Sequence, residues 1–167
     1  NFAGVLIRRV MDAATRVGKR AISETTISEG AVTVSYAAVQ LVEKIFSNLQ
    51  KKSALIIGTG ETGEIAAKHL RDRGIGRLAL TNRSFDKAEK LAAELKTAVF
   101  PFSNFKEHLH KFDIIVSATS AEGLIITKKD IEEAMKKRNY ASMRLMDIAI
   151  PRDIETKTKK IDYVFYH

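Results

Sequence analysis

The six residues Gly58-Thr59-Gly60-Glu61-Thr62-Gly63 constrain this chain more than any other feature. They follow Leu55-Ile56-Ile57, an apolar run too short for a helix and uncharged on both faces. They precede Glu64 to Arg73, which carries Ala66 and Ala67, has helical spacing and closes at Gly74. A glycine string alone is weak. A glycine string between a buried strand and a helix has a physical job, because each glycine answers a different steric demand. Gly58 permits the tight turn out of the strand, Gly60 lets a diphosphate approach the backbone, and Gly63 lets helix and strand pack closely. The start of the helix then offers unpaired N–H groups and a partial positive charge.

The remaining pattern agrees with that reading. Apolar runs at Arg77–Thr81, Ala98–Phe100, Asp113–Ala118, Arg144–Ile150 and Tyr163–Tyr166 alternate with helical spacing at Phe85–Lys96, Asn104–His110 and Lys128–Arg138. Strand and helix in alternation specify an α/β fold: a Rossmann-like, doubly wound parallel sheet of about six strands. A helical N-terminal segment precedes it. Asn1 to Lys19 mixes an apolar with a charged face and is expected to end at Gly18-Lys19. Residues 20–27 are rich in Ser and Thr and read as a linker. A second helix opens at Ser28-Glu29-Gly30 and runs to about Asn48, with Ala37, Ala38, Leu41, Val42, Ile45 and Phe46 on one stripe. The expected division is residues 1–27, residues 28–50, and a nucleotide-binding domain over 51–167. Asn1 and the abrupt end at the last strand suggest a piece cut from a longer chain.

Composition closes several alternatives. Apolar residues make up 45% and charged residues 29%, enough for a core. No run of about 18 uncharged apolar residues occurs, so no membrane span is expected. Cysteine is absent, which excludes disulfides, thiolate metal sites and a cysteine nucleophile within these residues, and fits a reducing, cytoplasmic setting. His69, His108, His110 and His167 lack metal-ligand spacing, so neither a metal site nor a catalytic residue is expected. The net charge is +8, with eight basic and four acidic residues up to Lys52 and twenty and sixteen beyond it. That excess is spread over the chain, and aromatic residues are only 7%, which argues against a stacking platform for nucleic acid.

The second strand discriminates between cofactors. An NAD site places a carboxylate at its end for the ribose hydroxyls. Here Leu80-Thr81 leads into Asn82-Arg83-Ser84, with Lys87 in the next helix and no acid at the strand tip. A guanidinium matches a 2′-phosphate, and Ser84 and Lys87 add a hydroxyl and a charge, so the site reads as NADP(H). The other wall is expected from Ser117-Ala118-Thr119-Ser120, with Ala118, Thr119 and Ser120 against the nicotinamide ribose. Ala149 and Ile150, after the fifth strand, are expected to face the nicotinamide ring.

The succession of Ser28-Glu29-Gly30-Ala31-Val32-Thr33-Val34-Ser35-Tyr36-Ala37-Ala38-Val39, the glycine turn, Thr81-Asn82-Arg83-Ser84, Asp113 to Ser120, and Asp147-Ile148-Ala149-Ile150-Pro151-Arg152-Asp153-Ile154 resembles glutamyl-tRNA reductase from about Gly18 to the end. The resemblance implies an enzyme in which a catalytic-domain cysteine attacks the ester of glutamyl-tRNA(Glu) and NADPH reduces the thioester to glutamate-1-semialdehyde for tetrapyrrole synthesis. It implies that residues 1–27 are the remnant of the catalytic domain and residues 28–50 the start of a spinal linker helix. It also implies a homodimer for the full-length protein and a possible partner in the next enzyme, glutamate-1-semialdehyde aminomutase. The departures are the missing cysteine and Thr62, where the family often has Met. The isolated chain is expected to bind NADPH without turnover, as a monomer or a weak dimer through the apolar stripe of the 28–48 helix. Two other readings stand beside this one: an NADP-dependent shikimate dehydrogenase-like domain, and a non-catalytic dinucleotide- or tRNA-binding module.

Overall fold

The computed structural model describes residues 2–24 and 29–167. Two helices lead, α1 (Phe2–Glu24) and α2 (Glu29–Ile45). The strands are β1 (Ser53–Ile57), β2 (Arg77–Asn82), β3 (Ala98–Pro101), β4 (Ile114–Ser117), β5 (Met143–Asp147) and β6 (Val164–Tyr166). Between them lie α3 (Glu61–Asp72), α4 (Phe85–Leu95) and α5 (Lys128–Lys137), with 3-10 turns at Phe105–Lys111 and Thr156–Lys160. All six strands are parallel, in the order β3-β2-β1-β4-β5-β6.

Both faces of the sheet are covered, which is why β1 is buried along its whole length. One face sets Ile56, Leu80, Val116 and Met146 against Val39 and Val42 of α2, Ala66 and Leu70 of α3, and Leu91 of α4. The other sets Leu55, Ile57, Ile115 and Leu145 against Phe105, Leu109, and Ile131 and Met135 of α5. The order in which successive strands are added reverses between β1 and β4. In register, Ile57 lies beside Thr81 and Ser117, and Ser117 beside Asp147, so four strand ends meet at one edge. A crevice forms where the order reverses.

Four local expectations are corrected. Helix α1 does not end at Gly18-Lys19; it continues to Glu24, since one interior glycine costs a helix only about 1 kcal/mol. Residues 20–24 of the expected linker are therefore helical, and 25–28 lie outside the described residues. Strand β5 stops at Asp147 instead of Ile150. The Asp147 carboxylate turns back to accept from the N–H groups of Ala149, Asp153 and Ile154 at 3.4, 3.3 and 3.1 Å, drawing the chain out of the sheet. The stripe of α2 is also rotated. Ser35, Ala38, Val39 and Val42 are buried while Ala37 is exposed, and this face packs on α3, so it is not free to form a dimer. The Ser35 hydroxyl donates to the Thr62 carbonyl at 2.9 Å, tying α2 to the first turn of α3.

Candidate dinucleotide-binding cleft

A cleft of about 590 Å³ opens at the carboxyl edge of the sheet, between the ends of β1, β2 and β4. Its floor is the glycine turn. Gly58 has φ +93°, and its N–H donates to the Thr81 carbonyl at 2.9 Å. A Cβ there would stand 2.5 Å from the Ala118 carbonyl oxygen, so only glycine passes. At Gly63 a Cβ would lie 1.9 Å from the Gly58 carbonyl oxygen, which is the close helix–strand contact expected of the third glycine. Gly60 is different: a Cβ would meet nothing within 4 Å and would project into open space. Gly60 also caps α3 without a side chain, and Glu64 N–H is the first to bond back to it, at 2.8 Å. The N–H groups of Glu61, Thr62 and Gly63 precede that bond, and Glu61 and Thr62 line the cleft. Beside them the Thr59 hydroxyl is buried and has no hydrogen-bond partner.

The β2 tip forms the second wall. Asn82 Nδ2 donates to the Ser84 carbonyl at 3.1 Å and closes the turn. Ser84 is the N-cap of α4 but makes no side-chain capping bond. Arg83, Ser84 and Lys87 all line the cleft, and none of their side chains has a protein partner in the structure. No carboxylate lines this tip.

The third wall is the segment after β4, where Ala118, Thr119 and Ser120 line the cleft. The Thr119 hydroxyl, however, has no proton left to donate to a ribose. It donates to Asp153 Oδ1 at 2.6 Å and accepts from the Ala121 N–H at 3.2 Å. Asp153, fully buried, also accepts at Oδ2 from the Ser117 hydroxyl at 2.7 Å and from the Thr119 N–H at 2.9 Å. It latches the loop after β5 to the loop after β4, and so sets the position of Ala118 over Gly58. Phe102, Ala121 and Ile125 complete the cleft and were not expected there. Their apolar character at loop positions was the one available signal.

Ala149 and Ile150 are not brought into this cleft. They line a second hollow of about 430 Å³ at the ends of β5 and β6, together with Asp147, Arg152, Lys159 and Tyr166. Ile150 is 93% exposed. The Tyr166 hydroxyl donates to Asp147 Oδ2 at 2.9 Å. Burial first, and then that bond, push its pKa above the usual tyrosine value, with Arg152 acting in the opposite sense. Among the described residues no group of three or more His, Cys, Asp or Glu is placed to hold a metal, and no helix is long and apolar enough to cross a membrane.

A doubly wound parallel sheet with a glycine cradle, a bare helix start and an orphaned buried hydroxyl at its switch point defines a dinucleotide-binding domain of the dehydrogenase type. The chain belongs to the shikimate / quinate 5-dehydrogenase family, which matches residues 40–167. It is also a homologue of glutamyl-tRNA reductases. It is 47% identical over 164 residues to the glutamyl-tRNA reductase of Chlorobium luteolum, covering 98% of this chain and 39% of the relative. The Chlorobium chlorochromatii enzyme is 44% identical over the same length, covering 98% and 38%. The solved glutamyl-tRNA reductase of Methanopyrus kandleri superposes with a TM-score of 0.74 at 38% identity, covering 96% of this chain and 40% of that one. The chain thus spans about two fifths of the length of the relatives it matches.

Proposed function

We propose that residues 51–167 are the NADP(H)-binding domain of a glutamyl-tRNA reductase, which reduces glutamyl-tRNA(Glu) to glutamate-1-semialdehyde in tetrapyrrole synthesis. On this reading residues 28–50 are the linker helix and residues 1–27 belong to the catalytic part. The observation that carries the cofactor assignment is the β2 tip: Arg83, Ser84 and Lys87 line the cleft without protein partners, and the one carboxylate that lines it, Glu61, belongs to α3 and not to this tip. A carboxylate would repel a 2′-phosphate, whereas a guanidinium pairs with it through two parallel N–H bonds.

The roles of the other residues follow. The N–H groups at the start of α3 and the Thr59 hydroxyl hold the diphosphate, with Gly60 leaving room for it. Asn82 shapes the turn that presents Arg83. Ala118, the Thr119 carbonyl and Ser120 would hold the nicotinamide half, with Ala149 and Ile150 at the next strand end. NADPH supplies the hydride, and the protein supplies orientation. A thioester carbon accepts hydride more readily than the ester carbon it replaces, so covalent capture precedes reduction. These 167 residues contain no cysteine, so the thiol comes from outside them, and the chain alone binds cofactor without turnover.

Calorimetric titration of the chain with NADPH and NADH tests this reading. NADPH binds tighter by tenfold or more. Arg83→Ala weakens NADPH about tenfold, the low end of about 1.5–3 kcal/mol for a hydrogen bond to a charged group, and leaves NADH unchanged. Equal affinity for the two cofactors in the parent chain overturns the phosphate assignment.

A further inference from the structure

The second hollow, at the ends of β5 and β6, has a charge pattern that the cofactor reading does not use. Its cations are Arg152, on the loop after β5, and Lys159, on the 3-10 turn Thr156–Lys160. Both are exposed. Neither forms an ion pair, and the Lys159 ammonium stands 4.8 Å above the Tyr166 ring. The acids nearby are all committed. Asp147 accepts from three backbone N–H groups and from the Tyr166 hydroxyl. Asp153 is buried on Ser117 and Thr119. Glu155 accepts from the Lys128 N–H at 2.8 Å and pairs with Lys157 at 3.7 Å. The hollow therefore keeps a net positive charge, two cations against the one Asp147 carboxylate, and Arg152 also lies against the Tyr166 hydroxyl. Beside them Ile150 and Pro151 make an apolar ledge whose outer residue is 93% exposed. Cations beside an exposed apolar ledge suit a phosphodiester better than a small free anion, because the Arg152 guanidinium plane can stack on a base while the ledge excludes water.

We infer that Arg152 and Lys159 hold a backbone phosphate of the single-stranded end of the RNA substrate, on the β5–β6 side of the cofactor cleft. The inference rests on the proposed function for the identity of that substrate. It adds a contact made by the nucleotide-binding domain itself. An aminoacyl ester at an RNA end must reach the nicotinamide end of the cleft, and Ala149 and Ile150 share this hollow with both cations.

The test is fluorescence anisotropy with a labelled 12-nucleotide single-stranded RNA, from 50 to 200 mM salt. Arg152→Ala/Lys159→Ala is compared with Lys136→Ala/Lys137→Ala, which removes the same charge from exposed positions on α5. Losing one phosphate contact on a single strand reduces the log–log salt slope by about 0.7, which is about 2.6-fold less change in affinity across that range. The first double variant shows that reduction and the second does not. Arg152→Lys/Lys159→Arg restores the slope. NADPH affinity of all variants, read by calorimetry, stays within twofold of the parent and reports that they are folded. Equal slopes in the two Ala variants, no RNA binding by the parent chain, or displacement of the RNA by millimolar glutamate each overturn the inference. A parallel loss of NADPH affinity in Arg152→Ala/Lys159→Ala overturns it too, since it makes the hollow part of the cofactor site. Failure of NADPH to bind the parent chain, with the RNA slope still dependent on Arg152 and Lys159, counts against the cofactor reading instead.

Discussion

Replacing Asp153 should unfasten the cleft from beneath. Its carboxylate is fully buried and accepts three hydrogen bonds, from the Ser117 hydroxyl, the Thr119 N–H and the Thr119 hydroxyl. Alanine leaves the fully buried Ser117 hydroxyl and the Thr119 N–H without an acceptor. Each such orphan costs about 1–3 kcal/mol, so Asp153→Ala should lose about 2–6 kcal/mol. Asparagine can keep one oxygen where Oδ2 stands, on Ser117 and the Thr119 N–H, and loses the bond to the Thr119 hydroxyl. Asp153→Asn should therefore lose about 1.5–3 kcal/mol, the value of one hydrogen bond to a charged group. For a chain of this size that is about 3–12 °C in Tm, and Asp153→Ala falls further. Urea denaturation followed by far-UV circular dichroism gives the free energies. If Asp153→Ala were within 0.5 kcal/mol of the parent, on the scale of a neutral surface change, the latch would not hold the loop and the reasoning would fail.

The glycines give a paired test. Gly63→Ala drives a Cβ into the Gly58 carbonyl and should lose about 2 kcal/mol or more, whereas Gly60→Ala meets no atom and should lose about 1 kcal/mol or less through its poorer cap. Gly60→Ala should nevertheless weaken NADPH about tenfold by calorimetry; unchanged affinity would place the diphosphate elsewhere. Histidine titration predicts a pH effect. Burial first, and then Lys111, hold His108 below its usual value of 6.5, and its ring packs on Phe100 at 4.5 Å. The folded state thus prefers the neutral ring, so this stability is complete above pH 6.5 and declines as pH falls below it. His108→Phe should flatten the stability profile between pH 7 and 5 without abolishing its slope, because His167 is shifted in the same direction by burial. An unchanged profile in urea titrations would remove His108 from the account.

The strands were legible because each is a short apolar run closed by a breaker. Leu55-Ile56-Ile57 before Gly58 and Ile114-Ile115-Val116 before Ser117 admit no other element between two helical layers. The cradle was legible because its glycines act within six consecutive residues. The third wall of the cleft was not. Phe102, Ala121 and Ile125 reach it from loops whose course depends on how distant segments pack. Asp153 gave no local sign of its latch, since its partners lie 34 and 36 residues away. The end of β5 was misread for a related reason: Met146-Asp147-Ile148-Ala149-Ile150 continues a strand pattern, and only the folded loop shows the Asp147 carboxylate capturing its own downstream N–H groups. The Thr119 hydroxyl, a fair ribose partner in the sequence, gives its proton to Asp153 in the fold.

The central claim is that the tip of β2 receives a phosphate monoester. Phosphorus NMR of NADPH bound to the chain, followed through a pH titration, reads that group directly. A free phosphomonoester loses its second proton near pH ~6. Held by Arg83, the 2′-phosphate should titrate about one unit or more lower, and Arg83→Ala should return it toward the free value. A bound 2′-phosphate that titrates as it does in free NADPH would contradict the claim.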